Sequence, residues 1–316
     1  MSSHERQRRG RDRVHGVLVL DKPLGASSSS IVTRARKRLG LDRCGHTGTL
    51  DPLATGVLPL CLGEGTKLAG HLLADDKAYD ATIALGIETD TLDATGTITA
   101  RGDASAITAA DIQAALARFR GPIAQVPPMH SALKHDGQRL YDLARRGDVV
   151  ERPARDVVIH SIELLGLDTG AGAPQARVAI ACSKGTYVRS LAADLGTALG
   201  CGAHLAGLRR TRSGTFTLAD AVTIEDLERD PANALLRLVP PARALAIPSY
   251  TVEAERIRDV VLGLPLLDIA EAMPKGVMFQ ILTPAGDLLA LAVAHPDPRL
   301  ELRRVFTYGV PVASMP

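Results

Sequence analysis

Hydrophobic positions recur along this chain with two periods, which divide it into strands, helices and stretches with neither. Val17-Leu18-Val19-Leu20 is an unbroken apolar run ending at Lys22-Pro23, the pattern of a strand covered on both faces. Ser27 to Ser30 then supply capping side chains for a helix predicted to reach about Leu39, with Val32, Ala35 and Leu39 on one face. Ala81-Thr82-Ile83-Ala84-Leu85 has the β-branched content of a second strand. From Ile107 to Phe119, the residues Ile112, Leu116 and Phe119 fall at helical spacing, and Gly121-Pro122 stops the helix. Strands are expected near Val157–Leu165 and Ala176–Ala181. A helix is expected over residues 187–199, where Leu191, Leu195 and Leu199 recur at i, i+4 and i+8.

A long irregular stretch from Gln125 to Lys134 precedes a short helix expected around Leu140 to Arg146. Loops of this length inside compact domains are usually functional or mobile. Pro240-Pro241 and Ala246-Ile247-Pro248 mark a boundary. Beyond it, residues 249–316 carry a short helix and strand-like runs at Val277–Leu282, Leu288–Val293 and Arg303–Thr307. The expected organisation is an N-terminal arm over 1–14, a large α+β domain over 15–246 and a small β-rich domain over 247–316. Neither an internal repeat nor a coiled coil is visible.

At 316 residues the chain is long enough to bury about three quarters of its unfolded surface. No apolar run approaches the roughly 18 residues of a membrane span. The stretch Gly16 to Leu20 is too short for a signal peptide and leads straight into Asp21-Lys22. Cys44, Cys61, Cys182 and Cys201 form no C-x-x-C pair and no Cys/His cluster, so they read as reduced thiols. The chain is expected to be cytoplasmic, with no membrane contact, no metal and no obligate protein partner.

Net charge is only +2, so the distribution of charge says more than its sum. The arm holds Arg6, Arg8, Arg9, Arg11 and Arg13 against Glu5 and Asp12 and reads as disordered. Arg209-Arg210-Thr211-Arg212 is a second basic cluster. Lys134, Arg139, Arg145, Arg146, Arg152 and Arg155 form a third. Each cluster alone is also what a solvated face looks like; three of them fit an RNA-binding surface.

The absent motifs narrow the chemistry. Neither a G-x-x-x-x-G-K-[ST] loop nor a strand-anchored G-x-G-x-x-G occurs, and there is no G-x-S-x-G elbow. The run from Asp90 to Gly96 lacks the alternating ligands and terminal Glu of a calcium loop. What stands out is Gly45-His46-Thr47-Gly48-Thr49-Leu50-Asp51-Pro52-Leu53-Ala54-Thr55-Gly56. Its three glycines permit positive φ or close backbone approach, and Pro52 pushes Asp51 out of the α region. Asp51 reads either as an Asx-type turn residue or as a positioned nucleophile. A nucleophilic carboxylate needs charge balance more than a base. Arg189, at a predicted helix start, is the candidate to hold it and to keep its pKa low. With aromatics at 3% and no Trp, Tyr79 and Tyr187 are weighed between core packing and stacking on an extruded base.

Together with Lys77-Ala78-Tyr79-Asp80 and Cys182-Ser183-Lys184-Gly185-Thr186-Tyr187-Val188-Arg189, the Asp51 segment resembles the bacterial tRNA pseudouridine synthase B (TruB) family. The likeness runs from about Gly16 to Arg212, through Leu20-Asp21-Lys22-Pro23, Leu62 to Lys67, Val126 to Gly147 and Leu208-Arg209-Arg210. It implies a catalytic domain on a mixed, largely antiparallel sheet flanked by helices. The implied activity is cofactor-free isomerisation of the uridine at position 55 in the T loop of tRNA to pseudouridine. It further implies that Asp51 is the nucleophile, attacking either C6 of the base or the ribose anomeric carbon. Tyr79 would stack on the base and is a candidate to take the C5 proton, and Arg189 would pair with Asp51. Tyr187 and Leu208 would line the pocket, Lys22 would be a pocket lysine, and His46 would replace the extruded base. Arg209 and Arg210 would bind the RNA, and residues from about Gln125 to Arg152 would form a loop that pinches it. The C-terminal domain resembles a PUA module only loosely, through Leu300 to Phe306. Residues 247–316 carry six Lys/Arg against eight Asp/Glu, a poor phosphate neutraliser.

Three alternatives remain at this stage. They are a pseudouridine synthase acting on another RNA, a non-catalytic tRNA-binding or tRNA-folding protein, and a glycoside or nucleoside hydrolase. The hydrolase would need a second carboxylate, for which Asp90 or Asp93 is available.

Overall fold

In the computed structural model, the described residues are 14–129, 150–170, 172–297, 299–308 and 310, with 134, 135, 138, 139, 146 and 148 between them. The basic arm and the helix expected around Leu140 to Arg146 lie outside the described residues, apart from Val14 and Arg146. The strands of the large region are β1 (Gly16–Lys22), β2 (Cys44–His46), β3 (Ala54–Leu62), β4 (Lys77–Leu85), β5 (Ile87–Thr89), β6 (Ile98–Arg101), β7 (Gly121–Gln125), β8 (Lys134–His135), β9 (Gln138–Arg139), β10 (Arg155–Asp168), β11 (Gln175–Cys182), β12 (Ala203–Ser213), β13 (Phe216–Thr217) and β14 (Val222–Thr223). One sheet runs in the order β14-β1-β3-β12-β4-β11-β10-β7, with β2 on β3 and β13 on β12. Only the β1–β14 and β3–β12 pairs are parallel, so the sheet is mixed and largely antiparallel, as expected.

Helix α1 (Ser28–Leu39) starts where the serine run predicts. The Ser27 side chain accepts from the Ser30 amide, and Gly40 at φ 62° closes the other end. Helix α2 (Ala69–Leu73) follows. Helix α3 (Ala109–Ala117) opens with a capping box between Thr108 and Asp111. Its stop is more than a stop: Gly121, at φ 88°, begins strand β7, which sequence did not predict and which meets the expected irregular stretch only at Gln125. Helix α4 (Val188–Leu199) ends at Gly200, at φ 74°. Short helices α5 (Ile224–Arg229) and α6 (Pro231–Leu235) follow β14.

The apolar run of β1 feeds two cores at once, because successive side chains point to opposite faces. Leu18 and Leu20 pack with Ile31 and Ala35 of α1 and with Leu58 and Leu60 of β3. Val17 and Val19 pack on the other face with Val57, Cys61, Leu288, Leu291 and Phe306. Each fully buried Leu here contributes roughly 1.5–3 kcal/mol. A separate core joins β4, β11 and β12 to α3 and α4 through Ile83, Val178, Leu205, Ile112 and Leu191.

The C-terminal residues form a four-stranded sheet of β15 (Ser249–Thr251), β16 (Met278–Leu282), β17 (Leu288–Ala294) and β18 (Leu300–Val305), in that order. Two helices, α7 (Ile257–Leu262) and α8 (Leu267–Ala272), stand where one was expected. This sheet has its own core around Phe279, Ile281 and Ile269, yet Phe306 and Leu291 belong to the core shared with β1 and β3. The Leu62 to Lys67 segment is the seat of that contact. Lys67 donates to the Val305 carbonyl at 2.7 Å and lies over the Phe306 ring at 5.4 Å. Glu64, 5% exposed, holds both Lys67 and Arg43.

Candidate active site

The site lies where the two cores of the large sheet meet: Tyr79 of β4 and Leu208 of β12 pack against both. Strand β12 runs between β3 and β4. Leu208 stands opposite Ala54 and Ala81, and Arg210 opposite Gly56 and Tyr79. A cavity of about 630 Å³ opens there, within the size range of small-molecule pockets. Asp51, Tyr79, Tyr187, Arg189, Leu208 and Arg210 all line it. The predicted residues thus converge from the loop before β3, from β4, from the start of α4 and from β12.

Asp51 sits outside regular structure, in a turn in which its carbonyl accepts from the Ala54 amide at 3.0 Å. The β1–α1 connection braces both of its neighbours. Ser28, 2% exposed, accepts from the Leu50 amide at 2.8 Å and donates to the Leu50 carbonyl at 2.9 Å. Gly25 donates to the Pro52 carbonyl at 2.8 Å. Two of the three loop glycines are required by geometry. Gly56, at φ 100°, would place a Cβ 2.2 Å from the Arg210 carbonyl oxygen, and Gly48, at φ 123°, would place one 3.4 Å from Arg210 Nη1. Gly45 has neither a positive φ nor a close neighbour, which corrects the reading of three special glycines.

The Asp51 carboxylate keeps 42% of its side-chain surface open, toward the cavity, while Arg189 behind it is 7% exposed; Oδ2 and Nη2 lie 3.0 Å apart. Arg189 also donates to the Thr91 carbonyl at 3.2 Å and lies 3.6 Å from Asp93 Oδ2. From sequence alone, Asp93 reads only as a rejected calcium ligand or a second hydrolase carboxylate. It is buried here, and its other oxygen accepts from Thr91 Oγ1, Thr95 N and Thr95 Oγ1 at 2.8, 2.9 and 2.6 Å. The preceding Leu92, at φ 62°, is the one non-glycine residue with positive φ among the described residues, a strained position of the sort found at functional sites. Asp51, Arg189 and Asp93 therefore form a shared ion-pair network. Its balance differs from the expectation of a low pKa. Burial raises the Asp51 pKa; Arg189 opposes that, Asp93 adds to it and Lys22 opposes it, with the net direction upward.

Three predicted residues stand elsewhere than expected. Lys22 is 0% exposed and does not reach the cavity wall. Its ammonium donates to the Pro23 and Ala26 carbonyls at 2.9 and 2.6 Å. Burial lowers its pKa to about 8 against the pull of Asp51. His46, on β2, is likewise not a lining residue. Its Nδ1 is buried without a hydrogen-bond partner among the described residues, and burial lowers its pKa. Arg210 is not a surface cation at all. At 1% exposure its Nε donates to the Val57 carbonyl at 2.7 Å and its Nη2 to the Gly48 carbonyl at 3.2 Å, so the cluster read as an RNA face is split by the alternation of β12. Arg209 points the other way and is paired with Asp21 at 2.7 Å.

Tyr79 is half-buried and stands opposite Arg210 in the β4–β12 register. Burial raises the phenol pKa, and Arg210 works against that rise. Tyr187 precedes α4, held through its backbone by Gln125: the Tyr187 amide donates to Oε1 at 2.7 Å, and Nε2 donates to the Tyr187 carbonyl at 3.0 Å. Sequence alone gives Lys77 no role. It lines the cavity, donates to the Leu73 carbonyl at 2.7 Å and also to that of Asp75, and its pKa is lowered by burial and then by Arg210. The site is thus a half-buried carboxylate at the mouth of a cavity. An aromatic ring and a leucine flank it, and four cations, Lys22, Lys77, Arg189 and Arg210, stand in or behind its walls.

Comparison with known proteins decides the family. The TruB family pseudouridylate synthase N-terminal domain matches residues 36–188, and the tRNA pseudouridylate synthase B C-terminal domain matches residues 189–245. The chain belongs to the TruB family. It is 51% identical to the tRNA pseudouridine synthase B of Ralstonia nicotianae over 80% of this chain and 82% of that protein. It is 54% identical to that of Pseudomonas aeruginosa over 70% of this chain and 71% of that protein. Among solved structures it is similar to a chain of a Cbf5-Nop10-Gar1 complex, with a TM-score of 0.71 and 26% identity over 95% of this chain and 87% of that chain. It is also similar to one of an archaeal box H/ACA Nop10-Cbf5 complex, with a TM-score of 0.68 and 26% identity over 95% and 88%. The TruB-family fold is accordingly the α+β architecture described above.

Proposed function

We propose that this TruB-family chain isomerises the uridine at position 55 in the T loop of tRNA to pseudouridine, with Asp51 as the nucleophile. The observation that carries the reading is the Asp51–Arg189 pair at 3.0 Å, set at the mouth of a cavity that Tyr79 and Leu208 also line. A uridine extruded from the T loop enters the cavity and stacks on Tyr79; such stacking is worth roughly 1–3 kcal/mol and offsets part of the cost of unstacking. Asp51 bonds to C6 of the base or to the anomeric carbon, and the N-glycosidic bond breaks. The base turns within the cavity and C5 bonds to the sugar, displacing the Asp51 carboxylate where it holds the anomeric carbon, or followed by its departure from C6 where it holds the base. Loss of the C5 proton then restores the ring, with the Tyr79 phenol oxygen as the candidate acceptor. The cations around the cavity stabilise Asp51 and the charge that passes to the base.

In this reading Tyr187 closes the pocket from the start of α4, and Arg209 and the basic residues of 125–152 contact RNA phosphates. Lys22 and His46 act from behind the cavity, and Arg210 from its wall. Residues 15–246 form the catalytic domain and 247–316 a PUA-like module. The partner is the T stem-loop of tRNA, and the setting is the cytoplasm. Site-resolved pseudouridine mapping on unmodified tRNA tests the proposal. A single new pseudouridine in the T loop with wild-type protein, and none with Asp51→Asn despite retained tRNA binding, is the expected result. Full activity of Asp51→Asn refutes the nucleophile assignment.

A further inference from the structure

We propose that Arg210 is a positioning residue that fixes the Tyr79 ring relative to the Asp51 loop, so that base stacking and nucleophilic attack share one frame. The inference rests on the catalytic reading given above.

Three observations carry it. First, Arg210 stands directly across β12 and β4 from Tyr79, and the β12–β4 register shifts just beyond it, between Arg210 and Arg212; such irregularities re-aim side chains beside active sites. Second, its guanidinium is held on two parts of the site, the Val57 carbonyl of β3 and the Gly48 carbonyl three residues before Asp51, while its cross-strand neighbour on β4 is Tyr79, which lines the same cavity. A planar guanidinium with its donors engaged on separate segments fixes their mutual orientation, which an ammonium cannot do as fully. Third, Arg210 is 1% exposed, and no carboxylate among the described residues pairs with it. Removing such a cation from water costs several kcal/mol. Packing alone would be met as well by an apolar side chain of similar length. Gly48 and Gly56 leave the space that Arg210 occupies.

The charged and titratable groups that act on the Tyr79 phenol are Arg210 on β12, Cys182 on β11 and Asp51 on the loop. Arg210 in turn acts on Lys22, His46 and Lys77. Removing the guanidinium changes the surroundings of the phenol oxygen first.

The test combines Arg210→Met, Arg210→Lys, Tyr79→Phe and the Arg210→Met/Tyr79→Phe double variant, all in the full chain. Single-turnover pseudouridine formation and tRNA affinity are measured at fixed salt. The Tyr79 Cζ resonance is followed by 13C NMR in the free protein and assigned with Tyr79→Phe. Arg210→Met is expected to lower the single-turnover rate about ten- to a hundredfold, the scale of a small misplacement of reacting groups, with tRNA affinity within about twofold. The Tyr79 resonance should move, and Arg210→Lys should recover part of the rate. In the Tyr79→Phe background the further loss from Arg210→Met should shrink, because the phenol that the guanidinium positions is already gone. A weakened tRNA affinity with an unchanged rate makes Arg210 an RNA contact and overturns the proposal, as does an unmoved Tyr79 resonance. If Arg210→Met does not fold, Arg210→Lys and Tyr79→Phe decide it by the same readouts. Wild-type protein that makes no pseudouridine defeats the catalytic reading instead, and the free-protein resonance tells the two failures apart.

Discussion

Replacing Ser28 by Ala removes one hydroxyl, remote in sequence from Asp51, that holds the residue next to it. Ser28 accepts from the Leu50 amide at 2.8 Å and donates to the Leu50 carbonyl at 2.9 Å, and the hydroxyl is buried. Each bond contributes about 1 kcal/mol net, and each backbone group left buried without a partner costs about 1–3 kcal/mol. Unfolding free energy should therefore fall by about 2–5 kcal/mol if the loop holds its place. If Leu50 instead turns to find water, the stability loss is smaller. Asp51 then leaves its station beside Arg189 and the cost appears in the rate. The two outcomes trade against each other. Urea unfolding measures the first, and single-turnover pseudouridine formation at saturating protein measures the second. Ser28→Ala should reduce at least one of them well beyond error while leaving tRNA affinity unchanged. A stability change under about 0.5 kcal/mol together with a wild-type rate would show that Ser28 does not brace the nucleophile.

Three further outcomes are expected. Burial raises the Asp51 pKa despite Arg189, so the native state holds a charged carboxylate at a net cost near neutral pH. Asp51→Asn should accordingly be inactive yet unfold at a higher temperature than wild type at pH 7; a lower unfolding temperature contradicts this balance. Lys22 titrates in the native state at about 8 against 10.5 unfolded, so between those values the unfolded chain binds more protons and stability rises with pH. The contribution is at most about 3 kcal/mol at roughly 1.4 kcal/mol per pKa unit. It should appear as the wild-type minus Lys22→Met difference in a pH series of urea unfolding, and a flat difference removes it. Gly56→Ala would bring a Cβ within 2.2 Å of the Arg210 carbonyl at a φ of 100°, so it should lose several kcal/mol and shift the β3–β12 pairing. Near-wild-type stability, read by the same unfolding series, contradicts that contact.

Much of the frame was legible because local patterns and tertiary packing agree along it. The serine run caps α1, the leucine spacing marks α4, and the strands from Val157 to Ala181 were extended by only a few residues at their ends. Strand β3 was not read, because Gly56 and Pro59 look like turn residues. In the fold Gly56 is there for close approach to β12, and Pro59 accepts from the Thr47 amide through its carbonyl. Strand β12 was hidden by its charges. Local sequence shows Arg209-Arg210-Thr211-Arg212 as a solvated run, whereas period-two alternation sends Arg209 to Asp21 and Arg210 inward. Nothing in the local sequence reveals the Val57 and Gly48 carbonyls that make a buried guanidinium tolerable. Asp51 and Arg189 were legible through motif resemblance. Asp93 was visible as a residue, but its part in the site depends on the turn from Thr89 to Gly96 folding against the start of α4, a contact between segments about a hundred positions apart.

The charge of the C-terminal residues bears on how the two sheets divide their work. Six Lys/Arg against eight Asp/Glu over 247–316 leave that part at −2 and the remainder at +4, so the electrostatic attraction for a polyanion resides in the larger part. The smaller sheet gives its apolar residues to the larger one instead. Leu288, Leu291 and Phe306 cover Val17, Val19 and Val57 on the face of β1 and β3 opposite α1. Without that cover, the face beneath the strand that leads out of the Asp51 loop would be open to water. Glu64 and Lys67 fasten the two parts at the same edge through buried charge, and Thr307 donates to Glu64 at 3.4 Å. Leu62 to Lys67, an anchor of the family resemblance with no role assigned from sequence, therefore works as the seat of the second sheet. The C-terminal residues support the site through the floor of the strand that carries it, which requires no phosphate contact of their own.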